Sequence, residues 1–148
     1  MGKVMLVYVP YDSGKAGERY GRGPLVAREA GLTERIATRH EVVETIVVLS
    51  GTFATEVSSA FDLAQRIAAI VSDALLANYF PIVIAGNCTT SLGTVSGLLA
   101  DRRGVVWLDT HVDYDTADTT TSGYLDGMPA AILAGDTYKA AAATVPGY

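Results

Sequence analysis

The chain has 148 residues, of which 49% are hydrophobic and 18% are charged, and its formal net charge is −5. This length is typical of one domain, and the apolar content is sufficient for one core. The acidic balance disfavours binding to nucleic acids and anionic membrane surfaces, and no apolar run approaches the length that crosses a bilayer. A single cysteine, Cys88, excludes an intrachain disulfide and suits a reducing compartment, so we expect a cytoplasmic protein.

The first fifty residues alternate between strand and helix patterns. Residues 3–9 are almost continuously apolar, as in a strand that is buried on both faces of a parallel sheet. The glycine-rich stretch 12–23 indicates a loop, after which Pro24 suits the first position of a helix that ends near Gly31. Residues 41–49 are enriched in β-branched side chains and predict a second strand.

The remainder of the chain continues the alternation. Apolar side chains recur three and four residues apart over residues 55–78, which predicts an amphipathic helix. Apolar runs at residues 81–85 and 104–109 predict a third and a fourth strand, and residues 91–99 between them predict a helix. The last clear element is a short helix near residues 128–133. Strands alternating with helices indicate an α/β fold with a largely parallel sheet, in a single domain without an internal linker.

Three polar residues follow the fourth predicted strand. Extended geometry past Leu108 would place Asp109, His111 and Asp113 on the same side, at the carboxyl end of a strand, where α/β sheets place their ligand crevices. Two carboxylates and an imidazole suit Mn²⁺, Fe²⁺ or Zn²⁺. The alternative is that these residues only decorate a turn between a strand and a loop.

Four segments together resemble the ureohydrolase family, which includes arginases, agmatinases and formiminoglutamases. The run from Asp109 to Asp113 resembles the family's Asp-x-His-x-Asp motif, and residues 119–129 resemble the substrate loop of arginases. Residues 21–32 are similar to the family's first loop and helix. Residues 85–94 occupy the place of its Gly-Gly-Asp-His segment. The resemblance implies a three-layer αβα fold of the arginase type for residues 1–148.

The resemblance also implies a role for each residue of the Asp-x-His-x-Asp motif. Asp109 would bridge two metal ions, most simply Mn²⁺, while His111 would bind one ion and Asp113 the other. A hydroxide held between the ions would attack the carbon of a small cationic guanidino or amidine substrate. Asp113 would thus act in catalysis as well as in metal binding. Members of the family are commonly oligomeric, so we expect a homo-oligomer.

The predicted substrate loop departs from the arginase pattern. Thr121 and Ser122 would contact the far end of the substrate through their hydroxyls. Asp115 and Tyr124 replace two asparagines that read the amino-acid end in arginases, and Asp126 replaces a histidine that shuttles protons. The two carboxylates either favour a more cationic substrate or are simply solvated. Arginine, agmatine and formimino compounds therefore all stay open as substrates.

Cys88 stands where the family usually presents a metal-binding histidine. A thiolate is softer than an imidazole and would move the metal preference from Mn²⁺ toward Zn²⁺ or Fe²⁺. A buried cysteine that acts as a small hydrophobic residue is the second interpretation. A nucleophilic thiol is the third, because His40, the only other histidine, precedes a distant strand and is not placed to activate it.

The family's second Asp-x-Asp strand has no counterpart before Tyr148, so the sequence resembles only the amino-terminal half of a ureohydrolase. In the family's sheet, strands of the other half lie between the third and fourth strands predicted here, and their absence would expose apolar strand edges. The first hypothesis is therefore a metal-dependent hydrolase of linear amidines that is incomplete as this chain. The alternative is a non-catalytic α/β module that acts through association with another subunit.

Overall fold

A computed structural model describes residues 1–148 as five strands and six α-helices. In chain order these are β1 (Lys3–Val9), β2 (Tyr11–Asp12), β3 (Lys15–Ala16), α1 (Arg22–Glu29), α2 (Leu32–Ala37), β4 (Glu41–Ile46), α3 (Glu56–Leu76), β5 (Phe80–Ala85), α4 (Ser91–Ser96), α5 (Pro129–Leu133) and α6 (Lys139–Ala142). Short 3₁₀ turns occupy Arg19–Gly21, Cys88–Thr90 and Leu125–Gly127. The alternation of strands and helices predicted from the sequence is confirmed up to α4.

The main sheet has β1 at its centre. Strand β1 pairs in parallel with β4 on one side and with β5 on the other, which gives the order β4-β1-β5. Leu6 and its three successors in the strand are completely buried, as expected for a strand covered on both faces. Strands β2 and β3 form a separate antiparallel hairpin directly after β1. The carboxyl ends of β1 and β5 therefore meet at one edge, beside this hairpin.

Helices cover both faces of the sheet. On one face Leu6 and Tyr8 of β1 pack with Ile36 of α2. On the other face Val7 and Val9 pack against Ile67 and its neighbours in α3. Because successive strand residues point to opposite faces, β1 contributes to both cores. The result is the expected three-layer αβα architecture.

Helix α3 carries the core of the second layer and begins with a reciprocal cap. The Oγ1 of Thr55 accepts a hydrogen bond from the backbone N–H of Ser58 at 3.1 Å, and the Ser58 hydroxyl accepts one from the backbone N–H of Thr55 at 3.3 Å. This reciprocal cap satisfies two otherwise unpaired donors at the helix start. Helix α4 lies so close to α3 that a Cβ at Gly93 would approach the carbonyl oxygen of Ala64 to 2.4 Å. No helix in the structure is both long and apolar enough to cross a membrane.

The fourth strand predicted at residues 104–109 does not form. The segment has no regular secondary structure and pairs with no strand, and Val106 and Leu108 are 84% and 91% exposed. A β-branched apolar run becomes a strand only where a neighbour supplies the complementary backbone groups. In this structure the sheet ends at β5, so the run has no such neighbour.

Three smaller corrections concern helices. Helix α2 was not predicted, and it follows α1 directly because Gly31 adopts a left-handed φ of 82° that turns the chain between them. Helix α6 was not predicted either, although its alanine-rich sequence favours a helix. The helix predicted over residues 91–99 stops at Ser96, just before Gly97.

Candidate metal centre

The candidate metal centre lies where the chain leaves β1 and β5. This edge matches the position at which α/β sheets usually bind ligands. Gly86, which follows β5 directly, permits the close approach of three backbone segments. A Cβ there would lie 2.2 Å from the carbonyl oxygen of Tyr11 and 2.7 Å from the Cα of Gly21. A larger residue at Gly86 would push the loop that carries Cys88 away from the hairpin that carries Asp12.

Three of the predicted metal ligands converge. The Sγ of Cys88 and carboxylate oxygens of Asp109 and Asp113 all lie within 4.8 Å of one another. Cys88 is half-buried, Asp109 is exposed, and the Oδ2 of Asp113 is buried without a hydrogen-bond partner. A buried carboxylate oxygen without a partner is energetically costly unless a cation or a donor reaches it.

His111 lies at the edge of this group and not within it. Its side chain is 80% exposed, its Nδ1 is 3.5 Å from the Oδ1 of Asp109, and its backbone N–H donates to the same oxygen at 2.9 Å. The period-two alternation expected from an extended strand does not hold, because Asp113 adopts a left-handed φ of 50°. Asp109 and Asp113 nevertheless converge through the turn, and the assignment of His111 as a ligand stays a prediction.

The centre holds more negative charge than its surroundings neutralise. Burial, reinforced by the negative charge of Asp126 and by the neighbouring Asp113 and Asp109, raises the pKa of the Cys88 thiol to about 12. Burial also raises the pKa of Asp126, and the charges of Asp113, Asp12 and Asp109 act in the same direction. In both groups the protonated form is favoured, because burial and the neighbouring carboxylates disfavour a further negative charge. This donor set fits a divalent cation, which would supply the missing positive charge.

The protonation of Cys88 bears on its alternative roles. A thiol with a pKa of about 12 is a poor nucleophile near neutral pH, and no histidine is placed to activate it. Its backbone N–H donates to the Oδ1 of Asp126 at 2.7 Å, which fixes the loop after β5 against the 3₁₀ turn that contains Asp126. The metal-ligand and structural interpretations of Cys88 remain, and the nucleophilic one loses support.

The predicted substrate residues divide into two groups. Tyr124 and Asp126 line a cavity of about 210 Å³ next to Asp113 and His111. Asp115, Thr121 and Ser122 do not line this cavity and are exposed. The backbone N–H of Asp115 donates to the carbonyl of Gly127 at 3.0 Å, and the Ser122 hydroxyl accepts from the backbone N–H of Tyr124 at 3.3 Å. Both residues therefore shape the loop that presents Tyr124.

Several residues of the cavity were not singled out from the sequence. Asp12 and Arg19 contribute to its wall together with Tyr20, and the Nε of Arg19 is 3.2 Å from the buried Oδ2 of Asp12. The sequence could have indicated Asp12 as a site residue, since an acidic residue shortly after the buried strand β1 lies at the carboxyl edge of a parallel sheet. Nothing in the sequence indicates Arg19 as a site residue, because an arginine in a loop is ordinarily solvated.

Comparison with known proteins identifies the family. Residues 2–145 match the model of the Arginase family. Arginase from Bacillus caldovelox is 28% identical over 148 residues, which cover 91% of this chain and 50% of the relative. Arginase from Brevibacillus brevis is 32% identical over 141 residues, which cover 88% and 47%.

Solved structures give the same result for the fold. The crystal structure of arginase from Bacillus subtilis superimposes with a TM-score of 0.86 at 27% identity and covers 100% of this chain and 52% of that chain. The native arginase of Bacillus caldovelox gives 0.84 at 26% identity and covers 100% and 54%. The chain spans about half the length of the relatives it matches. The family model nevertheless matches almost all of its residues, and this chain belongs to the arginase family.

Proposed function

We propose that this chain carries part of the active centre of a metal-dependent ureohydrolase, an enzyme that hydrolyses a C–N bond in linear guanidino or amidine compounds. The observation that carries the proposal is the convergence of Cys88, Asp109 and Asp113 within 4.8 Å at the carboxyl edge of the sheet. Membership of the arginase family supports the reaction class.

The carboxylates of Asp109 and Asp113 would hold the metal ion, and the unsatisfied Oδ2 of Asp113 is a ready ligand atom. When bound, divalent ions in such a site activate water and neutralise the charge that develops on the substrate. We propose Mn²⁺, because two of the three converging donors are carboxylates, with a second ion in the complete site. Binding through Cys88 as a thiolate would favour Zn²⁺ or Fe²⁺ instead. His111 is retained as a proposed ligand because its ring lies beside Asp109.

Two further residues have proposed roles in the chemistry. Asp126 lines the cavity and has a raised pKa, so it is suited to hold a proton that the departing amine requires. Tyr124 lines the same cavity and would contact the substrate directly. Asp115, Thr121 and Ser122 would contact the substrate only from the exposed loop around it.

A second candidate function is supported by the unpaired segment at residues 104–109. Val106 and Leu108 are apolar and almost fully exposed, and surfaces of this kind commonly bind another protein chain. The alternative proposal is a non-catalytic module that acts through association with another subunit. We also propose a homo-oligomeric state, which the same surface supports, and a cytoplasmic location, which the single cysteine supports.

A calorimetric titration with Mn²⁺ tests the metal proposal. We expect Asp109→Ala to weaken Mn²⁺ binding by roughly tenfold or more, because it removes a direct ligand. The matched control is Asp118→Ala, which removes one exposed carboxylate outside the cluster and should leave the affinity unchanged. Equal affinities in the two variants would remove the assignment of the centre.

A further inference from the structure

Arg19 is the only lysine or arginine that lines the cavity beside the candidate metal centre. The wall also contains three carboxylates and one imidazole, from Asp12, Asp113, Asp126 and His111, together with the phenols of Tyr20 and Tyr124. A cationic substrate would be attracted by these carboxylates, so a permanent positive charge in the same wall requires an explanation. Arginine is the residue best suited to bind a carboxylate in two-point geometry.

The guanidinium of Arg19 lies beside a buried carboxylate and over two tyrosine rings. Its Nε lies 3.2 Å from the Oδ2 of Asp12, whose side chain is only 4% exposed. Its central carbon lies 5.8 Å from the ring centre of Tyr124 and 5.9 Å from that of Tyr20. Such contacts orient a guanidinium and contribute a modest attraction.

The guanidinium donors of Arg19 are unused. They make no hydrogen bond within the chain, since even the Oδ2 of Asp12 accepts none, and the side chain is 53% exposed. Its backbone adopts a left-handed φ of 45°, which is uncommon for arginine. An oriented guanidinium with unused donors beside a cavity is a suitable carboxylate-binding group.

We propose that Arg19 binds a carboxylate at the non-reacting end of the substrate, and that it thereby determines which guanidino compounds the site accepts. The inference rests on the proposed function for the orientation of the substrate, with its guanidinium toward Asp109 and Asp113. A far end that carries an ammonium group would meet the positive charge of Arg19, whereas a carboxylate would pair with it. The substrate class is therefore a guanidino or amidino carboxylic acid. Tyr124, beside the guanidinium, positions Arg19.

A pair of matched ligands tests this specificity. 5-Guanidinopentanoate and agmatine share a guanidinium and four methylene groups, but the first ends in a carboxylate and the second in an ammonium group. Both are titrated calorimetrically into the full chain in the presence of Mn²⁺. We expect the carboxylate compound to bind at least about tenfold more tightly, as a charge-assisted hydrogen bond allows. Tighter binding of agmatine would overturn the proposal.

Substitutions at position 19 test whether Arg19 causes the preference for the carboxylate ligand. Arg19→Ala should abolish the difference between the two ligands, and Arg19→Lys should retain part of it, because lysine keeps the charge but loses the planar fork. Arg102→Ala, which removes an exposed arginine outside the cavity, should leave the preference intact. Arg19→Lys also guards against misfolding of Arg19→Ala, in which the buried Asp12 carboxylate loses its neighbour. An unchanged preference in folded Arg19→Lys and Arg19→Ala would contradict the role of Arg19.

A third titration separates this inference from the proposed function. Butyrate, a carboxylate without a guanidinium, is added to the metal-free wild-type chain while the Nε–H resonance of Arg19 is followed by NMR. A saturable shift supports carboxylate binding at Arg19 even where the Mn²⁺ titration of Asp109→Ala fails. The absence of a shift overturns carboxylate binding at Arg19 and leaves the metal proposal to be decided by Asp109→Ala.

Discussion

Strand β1 and the segment at residues 104–109 have similar apolar sequences but differ in burial and in strand pairing. The residues from Leu6 to Val9 of β1 are completely buried and the strand pairs on both sides, whereas Val106 and Leu108 are exposed and pair with nothing. The difference shows that a segment with high strand propensity forms a strand only where a neighbouring strand can pair with it. It also shows that the sheet core does not itself hold the segment that leads into Asp109.

The donors of the candidate metal centre are instead anchored through the other end of their loop. The carbonyl of Asp113 accepts a hydrogen bond from the backbone N–H of Ala130 at 3.0 Å, at the start of α5. Ile132 of α5 is buried in the same apolar cluster as Ala64 and Ala68 of α3. Asp113 is therefore connected to the core through α5, while Asp109 lies at the end of the less supported segment.

Hydrogen exchange should reveal the largest difference between the two regions. We expect the backbone amides of β1 to exchange only through global unfolding, because they are buried and paired, and those of residues 104–109 to exchange almost as fast as a free peptide. The two sets should therefore differ by several orders of magnitude in exchange rate, measured by NMR or mass spectrometry. Comparable protection in both would show that the segment is paired in solution.

A matched pair of substitutions tests the same contrast energetically. Ile67 of α3 is completely buried, so Ile67→Ala should lower the free energy of unfolding by about 2–5 kcal/mol through lost packing and the cavity left behind. Leu108→Ala removes a similar side chain that is 91% exposed, and its effect should stay within about 0.5 kcal/mol. Urea denaturation measures both. A large loss of stability in Leu108→Ala would contradict the exposed position.

Two carboxylates, one in the helical core layer and one in the candidate metal centre, should affect stability with opposite signs. Burial raises the pKa of Asp62, but hydrogen bonds from Ser50 and Arg66 outweigh it, and the pKa is lowered. Its ionised form therefore stabilises the fold above its ordinary pKa, and this contribution is lost as the pH falls through the lowered value. Asp62→Asn should destabilise the chain at pH 7 by about 1 kcal/mol.

Asp126 in the candidate centre should behave in the opposite way. Burial and the neighbouring carboxylates raise its pKa, so stability falls as the pH rises from the ordinary aspartate value through the raised one. In metal-free protein at pH 7, Asp126→Asn should therefore stabilise the chain by up to about 1 kcal/mol. Urea denaturation with a chelator at pH 4 and pH 7 measures the change. A destabilising effect of Asp126→Asn at pH 7 would show that the carboxylate is neutralised by another group.

The sequence predicts the sheet-forming part of the fold better than the candidate centre. Strand β1, helix α3 and strand β5 follow from apolar periodicity, because packing and periodicity agree there. The strand predicted at residues 104–109 is wrong because no strand of the structure lies beside this segment to pair with it. Asp109 and Asp113 were found from their motif, but their convergence with Cys88 depends on a left-handed turn at Asp113 that its sequence does not reveal.

Arg19 shows a different limit of sequence interpretation. Its position near two tyrosine rings and beside Asp12 results from the folding of the hairpin and the loop at Tyr124 onto each other. Residues so far apart in the chain give no local pattern. The proposed specificity thus depends on tertiary contacts, whereas the proposed metal ligands can be recognised from a short motif.

The location of a bound ion tests the central claim most directly. Crystals of the chain grown with Mn²⁺ would be measured at the manganese absorption edge to obtain an anomalous difference map. We expect a peak in contact with carboxylate oxygens of both Asp109 and Asp113, on the side that faces Cys88. A map with no peak there, or with manganese bound only to exposed carboxylates such as Asp118, would contradict the assignment of this cluster as a metal centre.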